Sequence, residues 1–328
     1  MFRNRLLATA IAAIALIAGP AVADPVQTSD QEQWCQGRIP DSVIPGIRTI
    51  PGRNIMPELM PWMNSEIRDA WAEGYLGQGT TVTVVDNFRS GRLRGDLGNG
   101  VRYMTHGGFT REQIDLLAPS ATVRTHDFSN GRSVRLNRRD LNVLNLSYGM
   151  FAADGYADSQ IGWGARERSI LSYAHGGDAV VVKAAGNDSV AVGEGTYSGT
   201  KDYLASGLIG AESAIFVGAL DKHGSVDDKS TIAWYSNMAG ENAEVQDQFL
   251  MVGVMAHETG LYGTSFAAPQ VSGYAAVLGS KFTDATPTQI ANRLLDTART
   301  DTINGYDRAI HGRGEASIGR AIAPVSIR

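Results

Sequence analysis

Five stretches of the chain are rich in apolar and β-branched residues without polar alternation: Thr80 to Val85, Leu141 to Leu146, Ala179 to Lys183, Ala214 to Ala219 and Phe249 to Val254. A strand with one face in water alternates, so unbroken runs of this length predict strands covered on both faces of a parallel sheet. A shorter run, Ala121 to Thr125, predicts a sixth strand. Helix-like stretches such as Ile161 to Ala174 lie between the runs. The alternation predicts an α/β fold, a doubly wound and mostly parallel sheet with helices on both faces. Ligands bind such sheets outside the carboxyl ends of the strands, so the polar residues where each run stops are the first candidates for chemistry.

Asp86 ends the first run, and Ser147-Tyr148-Gly149 follow the second. Asn187 closes Val181-Val182-Lys183-Ala184-Ala185-Gly186-Asn187. His106 lies in Thr105-His106-Gly107-Gly108-Phe109, and the following Thr110-Arg111-Glu112-Gln113 reads as a capping box opening a helix with Ile114, Leu116 and Leu117. A second cap, Thr286-Pro287-Thr288-Gln289, precedes a helix carrying Ile290, Leu294 and Leu295. Ser265 stands just after Gly263-Thr264, where a strand-like run gives way to a helix of small residues including Ala267, Ala268, Gly273, Ala275 and Ala276. So little bulk on any face predicts a helix packed closely on several sides. Unpaired N–H groups in its first turn suit an oxyanion beside Ser265. By physics alone this hydroxyl is either a nucleophile or the N-cap of a core helix.

The segment from Gly263 to Gly273, GTSFAAPQVSG, resembles the nucleophile motif of the subtilisin-like serine proteases, the subtilases. That family carries its functional residues in the order Asp, His, Asn, Ser, and Asp86, His106, Asn187 and Ser265 follow it. Two neighbourhoods depart from the family pattern. Asn87-Phe88 follow Asp86 where Thr-Gly or Ser-Gly is usual, and only the first two residues of His-Gly-Thr-His-Val-Ala-Gly stand at His106. The resemblance implies a serine endopeptidase in which Ser265 attacks, His106 moves the proton, Asp86 orients the imidazole and Asn187 helps hold the oxyanion. It further implies that Ser147, Tyr148 and Gly149 belong to an edge that binds polypeptide substrates, and that no redox cofactor or catalytic metal is needed. The short span between His106 and Ala118 implies loss of the loop that holds a structural calcium in many relatives, so no metal site is expected.

Five other histidines compete as the base. His126, His175, His223 and His311 do not fit the family order, and His257, close before Ser265, is the rival. Two further readings stand beside the protease. One is a peptide-binding pseudoprotease without turnover. The other is a lipase or esterase, which the context Gly-Thr-Ser-Phe-Ala in place of Gly-x-Ser-x-Gly, and an acid preceding the base, argue against.

The ends and the charge balance refine this picture. Arg3 and Arg5, the apolar run Leu6 to Ala18 and the small-x-small segment Ala21-Val22-Ala23 predict a signal peptide over residues 1–23. The run is shorter than the roughly 20 residues that span a bilayer, which leads to the expectation of an exported chain, periplasmic or extracellular, with no stable membrane insertion after cleavage. Loss of the leader moves the balance from 29 basic against 34 acidic residues to 27 against 34, so nucleic acid is excluded as a partner. Cys35 is the only cysteine, which rules out an intrachain disulfide. Residues 24–61 hold six of the eleven prolines and read as an arm or linker before a single peptidase domain over residues 62–328.

Overall fold

The structure is a computed structural model that describes residues 56–327; the predicted leader, residues 24–55 of the arm, Cys35 and Arg328 lie outside the described residues. The strands are β1 (Thr80–Asp86), β2 (Arg92–Gly95), β3 (Arg102–Thr105), β4 (Thr122–Asp127), β5 (Leu141–Leu146), β6 (Phe151–Ala153), β7 (Val180–Ala184), β8 (Thr200–Asp202), β9 (Ala214–Leu220) and β10 (Phe249–Gly253). The helices are α1 (Ile67–Ala72), α2 (His106–Leu117), α3 (Ala165–His175), α4 (Tyr203–Leu208), α5 (Ala243–Gln248), α6 (Ala256–Thr259), α7 (Ala268–Lys281), α8 (Pro287–Asp296), α9 (Arg308–His311) and α10 (Ile318–Ile322).

The six strands expected from the apolar runs form one sheet in the order β10-β9-β7-β5-β1-β4, parallel throughout. Their ends agree with the sequence reading to within two residues. The other four strands make two antiparallel ribbons, β2 with β3 and β6 with β8. From β1 the chain first moves outward to β4 and then returns past β1 to β5, β7, β9 and β10, so the direction of winding reverses at β1 and β5.

Successive side chains along each strand enter opposite cores, which is why the runs do not alternate with polar residues. Val82, Val84, Val143, Val180, Val182, Ile215 and Val217 join the core under α1, α2, α7, α8 and α10. Val85, Leu144, Leu146, Val181 and Phe216 join a second core with Ile170, Leu204, Leu208 and Val245 of α3, α4 and α5. Among the described residues no helix is long and apolar enough to cross a membrane.

Two helix starts differ from expectation. α3 begins at Ala165 rather than Ile161, because Gly162 and Gly164 interrupt the earlier turn and Gly164 takes the N-cap in extended backbone. α2 begins at His106, one turn before the expected start. Its cap is Thr105, whose hydroxyl accepts from the N–H of Gly108, while the hydroxyl of Thr110 is turned to other partners inside the helix. The capping box at Thr286 forms with both halves in place.

Every residue of α7 from Ala268 to Ser280 is buried. A Cβ on Gly273 would stand 2.8 Å from Cβ of Leu117 on α2, and one on Gly279 would stand 2.5 Å from the Leu141 side chain of β5. The small residues therefore set how near α7 lies to both neighbours. Gly273→Ala should destabilise the fold by about 1–2 kcal/mol in chemical denaturation, because α2 and α7 must separate, even though alanine favours a helix over glycine by about 1 kcal/mol. A midpoint equal to or above that of the unaltered protein would contradict this packing.

Candidate active site

β1 delivers Asp86 to the carboxyl edge of the sheet, where its side chain is fully buried. An ionised carboxylate there needs donors. It has three: Nδ1 of His106 lies 2.7 Å from Oδ1 and 2.9 Å from Oδ2, the hydroxyl of Thr110 donates to Oδ2 at 3.2 Å, and the N–H of Asn87 donates to Oδ1 at 2.6 Å. His106 can reach it because the start of α2 is pinned to the loop after β1. The N–H of Gly107 donates to the carbonyl of Asn87, and a Cβ at Gly107 would meet the Phe88 ring at 2.8 Å. Glycine after His106 is thus a requirement of close approach. The other face of the imidazole packs against Phe266, with ring centroids 5.4 Å apart.

Ser265 lies in a 3-10 turn, Thr264–Phe266, that follows Gly263 and runs into α7. Gly263 has φ 118°, a conformation that favours glycine. This turn, not the first turn of an α-helix, carries the hydroxyl. Oγ of Ser265 donates to the carbonyl of Ser147 at 3.2 Å, and Oγ of Ser147 donates back to the carbonyl of Ser265 at 2.9 Å. Behind them Nδ2 of Asn145 donates to Oγ of Ser147, and Ser272 on α7 donates to Oδ1 of Asn145. A chain of hydrogen bonds thus runs from α7 through β5 to the serine turn. The structure brings Asp86 and His106 together directly, whereas the hydroxyl of Ser265 is hydrogen-bonded to Ser147 and not to the imidazole.

Asn187 follows β7 and is tied to the same turn. Its Oδ1 accepts from the N–H of Thr264 at 2.8 Å and from the Thr264 hydroxyl at 3.1 Å. The backbone N–H can only donate, which fixes the amide with its oxygen towards Thr264 and leaves Nδ2 as the group to offer. Ser147, Tyr148 and Gly149 line a shallow cleft with Asn187 and Ser265. Tyr148 is itself buried, its hydroxyl within 3.4 Å of Glu167 and its ring beneath the Arg166 guanidinium, and burial first, then Glu167, pushes its phenol far above the ordinary range.

Several groups at this cleft escaped the sequence reading. Lys183, on the buried strand β7, makes a 2.9 Å ion pair with Asp202 at the cleft wall. The lone lysine in a valine run was a signal, but its partner lies on another element. Asp188 also lines the cleft, and burial, followed by the nearby Asp202 carboxylate, raises its carboxyl above the usual range. Thr110, which the sequence offers as a helix cap, instead serves Asp86. The rival His257 stands exposed beside Glu258 at 3.4 Å, while His126, His175 and His223 bond to the carbonyls of Asn130, Gly207 and Trp62, and His311 to that of Asp307.

The family Peptidase S8, the subtilase family, matches residues 120–314, a segment that includes Asn187 and Ser265 and begins after Asp86 and His106. Among solved structures, the prenylagaramide maturation protease PagA is similar at 21% identity and a TM-score of 0.52, over 79% of this chain and 98% of that one. A lanthipeptide protease is similar at 17% identity and a TM-score of 0.51, over 80% of this chain and 93% of that one. At these identities the likeness is one of fold. No curated protein sequence matches the chain.

Thr110→Val keeps the shape of the side chain and removes one donor from a buried carboxylate. Urea denaturation should then register a loss of about 1.5–3 kcal/mol, the range for a hydrogen bond to a charged group. An unchanged stability would mean that the Thr110 hydroxyl does not support Asp86.

Proposed function

The chain belongs to the subtilase family of serine-type peptidases, and from that premise we propose that it is an exported endopeptidase working through Asp86, His106 and Ser265. The observation that carries the assignment is the pairing of a buried carboxylate with an imidazole Nδ1 at 2.7 Å, beside the turn that bears Ser265. A carboxylate in that position holds the imidazole with Nε2 free to accept a proton and stabilises the imidazolium that results.

In the reaction Oγ of Ser265 leaves the Ser147 carbonyl, turns to His106 and attacks the scissile carbonyl as Nε2 takes its proton. The oxygen that gains charge is met by Nδ2 of Asn187 and the backbone N–H of Ser265. His106 then gives the proton to the leaving amine, and water, activated by the same imidazole, hydrolyses the acyl-enzyme. Ser147, Tyr148 and Gly149 supply the edge along which an extended polypeptide pairs. On this reading residues 1–23 are a leader removed on export, residues 24–61 an arm, and residues 62–328 the peptidase domain.

The bond from Ser265 to the Ser147 carbonyl favours a second reading, a member that binds peptides without turnover because its nucleophile is held away from the base. On the first reading this bond exchanges for one to His106 when substrate binds, since catalytic hydrogen bonds tighten in the substrate complex. Fluorophosphonate labelling combined with casein digestion separates the two. The protein should label at Ser265 and digest casein, Ser265→Ala should lose on the order of 10⁶ in turnover, as measured in a subtilisin, and His106→Ala should lose labelling. Asn187→Leu should lower kcat about 10²–10³-fold with little change in KM, again a figure from subtilisin. A protein that neither labels nor digests fits the second reading, and ester hydrolysis without peptide cleavage contradicts both.

A further inference from the structure

A second cleft, of about 290 Å³, opens on the other arm of the sheet and is lined by Thr83 of β1, Arg124 and His126 of β4, and Asn130, Arg132 and Arg135 of the segment after β4. Thr83 pairs in register with Arg124, and His126 pairs with Val85 two residues on, so Thr83, Arg124 and His126 share one face of the sheet. Among the described residues no helix covers that face here. The chain from Phe128 to Leu136 crosses it instead, with Val134 buried in the core beside α3. That segment is fastened: the N–H of Val134 donates to the Ser169 hydroxyl, the Val134 carbonyl accepts from the Tyr173 hydroxyl, and the Ser133 hydroxyl donates to the Ala165 carbonyl. Arg132 and Arg135 thus project from a rigid support.

The charges in the cleft are of one sign. Arg124, Arg132 and Arg135 have no carboxylate partner among the described residues, although the chain as a whole is acidic. The nearby acids are engaged elsewhere. Asp127 pairs with Arg89 and accepts from the N–H of Phe88, and Asp140 accepts from Thr81 and Asn137. Nε2 of His126 is taken by the Asn130 carbonyl, which leaves Nδ1 for another partner. Thr83 is the independent observation. It is 5% exposed and lines the cleft, and its hydroxyl has no hydrogen-bond partner among the described residues. A hydroxyl left unpaired where an open cleft reaches it can donate to a polar ligand.

We propose that this cleft binds a small polyanion bearing two or more carboxylate or phosphate groups. Guanidinium forks from Arg124, Arg132 and Arg135 would take the oxyanion groups, and the Thr83 hydroxyl would donate to the group that reaches deepest. The volume lies at the lower edge of the range of small-molecule sites, and a small concave pocket lined by polar groups favours a compact ligand over a flat macromolecular surface. The site is separate from Ser265 and does not depend on the peptidase reading.

The test is isothermal titration of the full chain at low ionic strength with citrate and with pyrophosphate, beside a Glu-rich hexapeptide. At least one of the two small anions should bind saturably at one per chain and weaken as salt is added. The triple variant Arg124→Ala, Arg132→Ala, Arg135→Ala should bind roughly 30-fold or more weakly. Thr83→Val, which suits a strand, should bind about fivefold more weakly with unchanged circular dichroism, and it keeps the test decisive if the triple variant fails to fold. Neither anion saturating, affinity unchanged in the variants, or binding of the hexapeptide alone would each overturn the proposal.

Discussion

The close approach of α7 to its neighbours is the constraint on which the rest of this molecule depends. Interiors are packed as tightly as organic crystals, so the distance between two elements is set by the side chains between them. Along α7 those side chains are small where α2 and β5 come near, and larger where Val271 and Leu278 fill the core, each contributing about 1.5–3 kcal/mol of burial. One helix therefore fixes the position of α2, which begins with His106, and of β5, which leads to Ser147, and it is entered through the turn that carries Ser265. Bulk added to α7 would be felt at all three.

Two polar networks are built on that scaffold. In the first, Asp86 gathers the His106 ring, the Thr110 hydroxyl and the Asn87 N–H, which makes a fully buried carboxylate tolerable and locks β1 to α2. The second runs from Ser272 through Asn145 and Ser147 to the turn of Ser265, while Thr264 holds Asn187 from the other side. The first leaves Nε2 of His106 and the second leaves Nδ2 of Asn187 without a partner among the described residues. On the proposed mechanism the join between them would be a hydroxyl turning from the Ser147 carbonyl to His106, a side-chain rotation of the kind that occurs in picoseconds to nanoseconds where it is not blocked.

How much of this was legible depended on how local the cause was. The six parallel strands could be read because burial on both faces leaves its mark within each run of five to seven residues. Asp86 and Asn187 stood out because each follows such a run. The start of α2 could not be read: Thr105 and Thr110 both precede plausible first turns, and Gly107 and Gly108 weaken the earlier one on propensity alone. What decides it is the loop after β1, since the Gly107 N–H meets the Asn87 carbonyl and Phe88 leaves no room for a Cβ. Lys183 was visible as a charge in an apolar strand, but Asp202 could be recognised as its partner only once β7 and the start of α4 were side by side.

The sequence by itself determined the fold class, the strands, the family resemblance and the four residues to watch, because periodicity and short motifs are properties of contiguous chain. The tertiary structure decided the partner of each polar group. Thr110 serves a carboxylate 24 residues away, Ser265 exchanges bonds with a serine 118 residues away, and Thr83 lines one cleft with Arg124, Arg132 and Arg135. Such pairings follow from strand order, register and the distance between α7 and its neighbours, and these exist only when distant segments pack together.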